Sequence, residues 1–250
     1  MSIINAYDES EEIVSPKMMT EGLDKLPDTA IAFFRRELID EVEKRPDFKE
    51  YSYYSISGEK MKIYITKVNN KEVILYRTIL GGPATVGTME ELHSRGVNKF
   101  IFFGSCGELT SSLKKGAFII PTECYRDEGT SYHYVPASDF IEVETYKELA
   151  KIFDENNINY ELTKIWTTDG MYKETKNKTK NRIELGCKVV DMECASIMAM
   201  AKSRNIKAYQ FLYTDDTLDG GKWDLRTLKD DRTPILTHCL EIALKVAEKI

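Results

Sequence analysis

The segment Val189–Ala201 constrains the fold more than any other part of the chain, because it joins a short apolar run to a stretch that has no polar face. A helix that is apolar or small on every side is typical of a protein interior. Two acids, Asp191 and Glu193, fall in the expected first turn of this helix. A carboxylate at the start of a buried helix needs a partner, and the vicinal hydroxyls of a sugar are one such partner. An ordinary first-turn acid is the alternative.

Strands alternate with helices from Glu72 to the C-terminus, which is typical of an α/β domain. A predicted hairpin before this region makes the central sheet mixed instead of purely parallel. We therefore predict a polar arm or lid over residues 1–28 and a single α/β domain over residues 29–250, with a mixed central sheet flanked by helices. The predicted elements include strands at Lys99–Phe103, Ala117–Pro121 and Lys207–Tyr213, helices at Ser138–Asn156 and Lys173–Leu185, and an irregular polar loop at Tyr125–Tyr134.

Composition excludes several classes of function. The 250 residues carry a net charge of −6 and no basic stripe, which argues against nucleic acid as a partner. Five cysteines without a CxxC pair indicate reduced thiols in a cytoplasmic protein. The polar, acidic start predicts no secretory leader, and no apolar run approaches the ~20 residues that cross a bilayer. The three histidines show no metal-ligand spacing, so we expect no metal.

Glycines and acids follow the predicted strands at five places. Because ligands of open α/β sheets gather at the carboxyl ends of strands, we expect these places to form one site. The five are Gly81-Gly82, Gly104–Gly107, Asp169-Gly170, Asp191–Glu193 and Thr214–Asp216.

Five motifs follow one another along the chain: Gly81-Gly82-Pro83-Ala84, Gly104-Ser105-Cys106-Gly107, Arg126–Tyr134, Asp191-Met192-Glu193 and Thr214-Asp215. In this order and spacing they resemble the nucleoside phosphorylase-I family, in particular its uridine phosphorylase and purine nucleoside phosphorylase-like branch. The resemblance implies reversible phosphorolysis of a nucleoside to the free base and (deoxy)ribose 1-phosphate, with inorganic phosphate as co-substrate and no cofactor. It also implies a barrel-like sheet and a homo-oligomer, a hexamer or dimer, whose sites borrow residues from a neighbour.

The resemblance also implies roles for single residues. Met192 and Glu193 are predicted to bind the ribose, with Glu193 accepting hydrogen bonds from the 2′- and 3′-hydroxyls and His133 assisting. Asp215 is the predicted catalytic residue, close to N7 of a purine; a loop carboxylate that caps its own turn is the alternative. The predicted base-binding residues are Cys106, Gly107, Met171 and Asp191, and the predicted phosphate-binding residues are Gly82, Gly104, Ser105 and Arg36.

The chain departs from the family pattern in ways that leave the co-substrate and the base open. Relatives carry a Gly-Asp-Pro-x-Arg element after the first strand and an arginine where this chain has Phe102. Nucleosidases lack these arginines, so a nucleoside hydrolase is the alternative, with Glu37 activating water; a binding protein without turnover is a third hypothesis. Uridine-specific relatives read uracil with a Gln and an Arg shortly after the strand that corresponds to Tyr160–Thr168, and this chain has neither residue there. The loop Arg126–Tyr134, in contrast, resembles the uridine branch.

Overall fold

The computed structural model describes residues 2–226 and 230–250, which form ten strands and eight α-helices. The strands are β1 (Thr29–Phe33), β2 (Lys49–Ile56), β3 (Glu59–Val68), β4 (Lys71–Arg77), β5 (Lys99–Glu108), β6 (Phe118–Asp127), β7 (Phe140–Glu142), β8 (Tyr160–Thr168), β9 (Cys187–Asp191) and β10 (Lys207–Thr217). The helices are α1 (Pro16–Met19), α2 (Glu37–Lys44), α3 (Gly82–Ser94), α4 (Ser131–Tyr134), α5 (Tyr146–Glu155), α6 (Lys176–Glu184), α7 (Cys194–Ser203) and α8 (Thr233–Lys249). Three short 3₁₀ turns lie at Ile3–Asn5, Met171–Lys173 and Asp219–Gly221.

Strand β5 joins the two parts of the sheet, because it pairs with β1 in one part and with β9 and β10 in the other. The first half of β5 pairs in parallel with β1. The whole length of β5 pairs in parallel with β10. Its last residues, Gly107 and Glu108, pair antiparallel with β9. Starting from β5, each strand is hydrogen-bonded to the next in the order β10, β6, β8 and β9, and β9 pairs with β5 again. These five strands therefore close into a ring. Strands β1, β4, β3 and β2 extend from β5 as an open wing. The mixed, barrel-like sheet expected for the domain is confirmed.

Helices cover both faces of this sheet, which explains why its inner strands are apolar along their whole length. Side chains of β5 alternate between the two faces. Phe100 and Phe102 pack in a core with α3 and α7, whereas Ile101 and Phe103 pack in a second core with α8. Helix α7 lies wholly in the interior from Cys194 to Ala201, as its lack of a polar face predicts. The burial of α7 brings its first residues to the carboxyl ends of β5 and β9.

Several sequence-based boundaries are wrong. The helix predicted over Ser138–Asn156 is a strand in its first part, because Phe140–Glu142 pairs antiparallel with β6. The rings of Tyr125 and Phe140 meet edge to face at 5.3 Å across this pairing, a long-range contact that helical periodicity does not reveal. Strands β5 and β10 also run four or five residues further than predicted, to Glu108 and Thr217, because each continues as part of the ring.

The N-terminal residues run along α3. Thr20 Oγ1 lies 2.8 Å from Ser94 Oγ, and the backbone N–H of Leu26 donates to the carbonyl of Arg95 at 2.8 Å. Arg204, at the end of α7, pairs with Glu12 at 2.7 Å. These contacts tie residues 2–28 to the outside of the helical layer, and their role as an arm or lid stays a prediction.

Candidate active site

A cavity of about 350 Å³ opens at the carboxyl ends of β5, β9 and β10. Its walls contain eight of the twelve predicted site residues: Ser105, Cys106, Gly107, Met171, Asp191, Met192, Glu193 and Asp215. Seven further residues complete the walls: Leu80, Tyr172, Glu174, Val190, Asp216, Leu218 and Trp223. Three of the five predicted breaks therefore contribute to one cavity, and Glu193 and Asp215 share it. The other two, Gly81-Gly82 and Asp169-Gly170, lie beside lining residues but are not part of the wall.

The sequence suggested that Glu193 lies in the first turn of α7. In the structure it is the residue immediately before this helix. Its Oε1 accepts a hydrogen bond of 2.7 Å from the backbone N–H of Gly81, at the start of α3. Gly81 has φ +99°, a conformation that favours glycine. Burial, and then the charge of Asp191, raise the pKa of Glu193 above its usual range. One oxygen of Glu193 is thus fixed by the backbone.

Asp191 ends β9 and stabilises the start of α7. Its carboxylate accepts hydrogen bonds from the backbone N–H groups of Cys194 at 2.7 Å and Glu193 at 3.3 Å, and from the Thr167 hydroxyl at 2.7 Å. Such bonds satisfy N–H groups that a helix leaves open at its first turn. Burial raises the pKa of Asp191 above its usual range, against the hydrogen bond from Thr167. Through these backbone hydrogen bonds, Asp191 positions Glu193. A contact between Asp191 and the base stays a prediction.

A β-bulge brings two consecutive aspartates to the same cavity. Thr214 lies opposite Cys106 and Asp216 lies opposite Gly107, so the register of β10 shifts at Asp215. In a regular strand, neighbouring side chains point to opposite faces, and bulges beside active sites redirect them. Asp215 is 2% exposed and forms an ion pair of 2.9 Å with Arg232, whose side chain is 5% exposed. Arg232 directly precedes α8.

The cavity wall is acidic. Five carboxyl groups line it, and within the described part of the chain none of its lining residues is Lys, Arg or His. Burial raises the pKa of Glu174 to about 7, and the charge of Asp216 acts in the same direction. Burial also raises the pKa of Asp216 itself, against the hydrogen bond from Trp223. The five are Glu174, Asp191, Glu193, Asp215 and Asp216.

Cys106 is a buried thiol whose Sγ donates to the carbonyl of Tyr213 at 3.5 Å. Burial raises its pKa well above the usual range, and the surrounding acids add to the shift. A thiol held in the neutral state is a poor nucleophile. Cys106 can therefore form part of the wall without taking part in covalent chemistry.

Four predicted site residues lie outside the cavity wall. Gly82 is buried at the start of α3 against Ser196, and Gly104 is buried against the ring of Phe34. Arg36 and His133 are exposed, the first just before α2 and the second on α4. Their roles in binding phosphate or ribose stay predictions.

Sequence reasoning missed Glu174 and Trp223 in the wall, and Arg232, which contacts Asp215 from outside the wall. Glu174 lies in the segment after β8. Its position after the end of a strand could have marked it as a candidate site residue. Trp223 lies in the loop after Gly220-Gly221, and its indole Nε1 donates to Asp216 at 2.6 Å. Arg232, the partner of Asp215, is distant in sequence and shows no local pattern.

We expect Gly82→Ala to destabilise the protein by about 1–3 kcal/mol and to weaken the binding of a ligand in the cavity. A Cβ at this position would lie 2.3 Å from Ser196 Oγ, which Glu128 holds by a hydrogen bond of 2.6 Å. The start of α3 must then move, and with it the Gly81 N–H that fixes Glu193. Thermal unfolding measures the first effect, and titration with the ligand measures the second.

Gly87→Ala is the matched control, because this glycine lies within α3 and nothing stands within 4 Å of its Cβ position. Alanine there is expected to stabilise the helix by about 0.5–1 kcal/mol. If the two substitutions had the same effect on the melting temperature, steric contact with Ser196 would not be the cause.

Comparison with known proteins gives consistent matches. A family model described as "Phosphorylase superfamily" matches residues 30–248. A guanosine phosphorylase from Halorubrum lacusprofundi is 23% identical over 183 residues, which cover 72% of this chain and 76% of the relative. A DeoD-type purine nucleoside phosphorylase from Thermoanaerobacter sp. is 26% identical over 182 residues, which cover 71% and 77%. An uncharacterized mimivirus protein is 26% identical over 159 residues, which cover 64% of this chain and 62% of the relative, less than two thirds of its length.

A solved structure has the same fold. Purine nucleoside phosphorylase from Toxoplasma gondii, in complex with immucillin-H, superimposes with a TM-score of 0.72 over 97% of this chain and 96% of its own, at 19% identity. Among the described residues, no three His, Cys, Asp or Glu side chains are grouped so that they could hold a metal ion. In the same residues, no helix has the length and apolar character that crossing a membrane requires.

Proposed function

Because this chain belongs to the phosphorylase superfamily, we propose that it is a nucleoside phosphorylase, which cleaves a purine nucleoside reversibly into the free base and (deoxy)ribose 1-phosphate. The observation that carries the proposal is a single cavity in which a buried Glu193 and a buried Asp215 face the same space. The purine phosphorylases among the relatives support the choice of base.

The ribose lies, in this proposal, against Met192 and Glu193. The N–H of Gly81 fixes one oxygen of Glu193, so the carboxylate is held in place before substrate arrives. The sugar acquires positive charge as its bond to the base breaks, and a buried carboxylate stabilises that charge more than water does. Hydrogen bonds from the 2′- and 3′-hydroxyls hold the ring during this step. The apolar side chain of Met192 packs against the sugar.

Asp215 acts at the base. Electrons of the glycosidic bond pass to the purine as it leaves, and N7 then gains a proton or a strong hydrogen bond. The bulge in β10 turns Asp215 toward the cavity, and Arg232 restricts its movement. In this proposal the Asp215 carboxyl group is protonated before the reaction and gives its proton to N7 as the base leaves. Arg232 then stabilises the buried carboxylate that remains.

Inorganic phosphate binds, in this proposal, beside Ser105, where β5 turns from β1 toward β9. The Ser105 side chain is exposed to the cavity, and its hydroxyl is a donor suited to an anion. Gly82, Gly104 and Arg36 stay candidates for this role on the family resemblance. No cofactor enters the proposal.

We extend the proposal to a homo-oligomer, a dimer or hexamer, in the cytoplasm. Strand β2 is the outer edge of the open wing, and Tyr51 on it is 43% exposed, so the edge is available for another copy. The five cysteines are free thiols, which fit a reducing compartment. Light scattering at micromolar concentration measures the mass, and a monomer would contradict this part.

The test of the function is phosphate dependence. Purified protein is incubated with guanosine, inosine, adenosine or uridine, with and without phosphate, and the products are separated. We expect free purine and ribose 1-phosphate, formed only with phosphate. Free ribose at a rate independent of phosphate would instead identify a nucleoside hydrolase. Tight nucleoside binding without base release would identify a binding protein.

A further inference from the structure

Three consecutive backbone N–H groups at the start of α7 are bound by two side chains. Asp191 Oδ2 accepts the N–H groups of Glu193 at 3.3 Å and of Cys194 at 2.7 Å. The next N–H group, that of Ala195, donates to Thr167 Oγ1 at 3.1 Å. Because a helix leaves its first N–H groups open, these bonds fix the point at which α7 begins. The place of Glu193, directly before α7, depends on them.

Thr167 joins this helix start to the strands beneath it. It lies on β8, opposite Asp191 on β9, and its side chain is fully buried. Its hydroxyl donates to Asp191 Oδ1 at 2.7 Å, while its oxygen accepts the N–H of Ala195. The donor and an acceptor position of the hydroxyl are both in use, so its direction is fixed. Thr167 is not part of the cavity wall, and it can affect a ligand only through these neighbours.

The hydrogen bonds to Asp191 decide which of two buried acids carries the charge. Asp191 is 6% exposed and Glu193 is 5% exposed. Burial raises the pKa of Asp191, and the hydrogen bond from Thr167 is the largest effect that opposes this rise. Burial also raises the pKa of Glu193, and the charge of Asp191 raises it further. The first negative charge of the pair is therefore held on Asp191, and Glu193 ionises second.

Other polar groups face this pair from the surrounding elements. Asp169, after β8, adds to the raised pKa of Glu193. Gln210 on β10 is uncharged, and its Nε2 donates to Asp191 Oδ2 at 3.5 Å. Burial raises the pKa of three thiols that face Asp191 from β5, β6 and α7, so they stay neutral: Cys106, Cys124 and Cys194. Asp169 therefore acts on Glu193 in the same direction as Asp191 does.

We propose that Thr167 is a positioning residue for the ribose: its hydroxyl holds the charge on Asp191 and the start of α7 in place, and thereby keeps Glu193 directed into the cavity. This inference rests on the proposed function, because it takes Glu193 as the acceptor of the ribose hydroxyls. Since a carboxylate accepts two such bonds, nucleoside binding should tighten as the pH rises and Glu193 ionises.

The first experiment removes the hydroxyl and keeps the shape of the side chain, in Thr167→Val. We expect kcat/KM for inosine, with saturating phosphate at pH 7.5, to fall by about 10- to 100-fold, because a hydrogen bond to a charged group is lost. Thr167→Ser retains the hydroxyl and should recover most of this loss. Thr163→Val is the matched control on the same strand, because its buried hydroxyl donates to the carbonyl of Lys164 at 3.1 Å, and kcat/KM should not change.

The pH dependence of kcat/KM separates positioning from a loss of packing. Without the Thr167 hydroxyl, Asp191 holds its charge less well, so Glu193 meets less negative charge and ionises at lower pH. We expect the pH midpoint of kcat/KM to fall by about 0.5 to 1 pH unit in Thr167→Val. Asp191→Asn removes the same charge and should lower the midpoint at least as far. Thr167→Val should add no further shift to Asp191→Asn, because both act through one group.

A measurement without substrate tests Thr167 independently of the proposed function. Glu193→Gln should gain stability over its parent as the pH rises, because glutamine cannot ionise. In the Thr167→Val background the gain should be smaller and should level off at lower pH, since Glu193 then has a lower pKa. Urea unfolding from pH 4.5 to pH 9 measures the gain in both backgrounds. If Thr167→Val does not fold, Thr167→Cys, whose thiol is a weak donor, replaces it in every measurement.

The outcomes separate the two claims. Equal gains from Glu193→Gln in both backgrounds would overturn the inference and leave the phosphorylase intact, as would equal kcat/KM in Thr167→Val and Thr163→Val. Absence of base release from every nucleoside would count against the proposed function alone. The unfolding measurement would then still support or overturn the role of Thr167.

Discussion

Glu193→Gln is expected to lower kcat/KM for the nucleoside by about 10²–10³-fold while raising the stability of the protein at pH 8 by about 1–3 kcal/mol. Glutamine can still accept the hydrogen bond from Gly81, but it lacks the charge that the ribose hydroxyls and the developing cation require. The same charge is costly in the empty protein, because Glu193 is 5% exposed and close to Asp191. Steady-state kinetics and thermal unfolding measure the two effects.

The sign of the stability effect follows from the pKa of Glu193. Burial raises this pKa in the folded state, so folding disfavours the ionised form. The contribution of Glu193 to stability is therefore fully present below the pKa of the unfolded chain, about 4.3, and is lost as the pH rises through the raised folded value. Glutamine shows no such loss, so its advantage is greatest at pH 8 and shrinks toward pH 4.5.

Glu59→Gln, at an exposed position of β3, is the control for both measurements and should change neither. A gain in stability that was equal at every pH would show that ionisation of Glu193 is not its cause. Near-normal kcat/KM in Glu193→Gln would show that the ribose does not bind against Glu193.

Asp215→Asn is expected to reduce phosphorolysis of purine nucleosides by about 10²–10⁴-fold, the usual contribution of a positioned acid or base. Asparagine has nearly the same shape, but it cannot exchange a proton with N7. It also leaves the buried Arg232 without its charged partner, which is costly for the fold. Initial rates with inosine and guanosine measure the loss, and circular dichroism checks the fold.

A nucleoside whose base leaves without a proton provides the control. 7-Methylguanosine carries a methyl group on N7, and its base departs as a neutral molecule, so Asp215→Asn should reduce its cleavage far less. An equal loss with 7-methylguanosine and guanosine would show that Asp215 supports the wall of the cavity and does not act on N7.

Much of the site could be predicted because carboxyl ends of strands meet at one edge of a sheet. The glycines and acids after the predicted strands were therefore good markers, and Ser105, Met171, Glu193 and Asp215 line a single cavity. Alternating helices and strands likewise indicated the α/β class, and the sequence of α7 indicated its burial. These features depend on local pattern alone.

The remaining features depend on contacts between distant parts of the chain. The bulge at Asp215 exists only through pairing with β5, and the sequence Thr-Asp-Asp is equally compatible with a regular strand. Arg232 reaches Asp215 only after α8 packs on the sheet. The start of α7 after Glu193 depends on the hydrogen bonds that Asp191 makes to N–H groups there. Strand β7 also depends on its partner β6, and its residues fit a helical period when viewed alone.

The closed ring divides the cavity into parts of unequal rigidity. Ser105–Gly107 belong to β5, whose amides open to solvent only when its neighbouring strands separate, so their hydrogen exchange should be among the slowest in the protein. The wall formed by Met171–Glu174 and Trp223 comes from loops outside the ring. Substitutions in those loops can change which base is accepted without disturbing the strands beneath. Descendants of such a protein can thus acquire new substrates while the part of the cavity that the strands form stays constant.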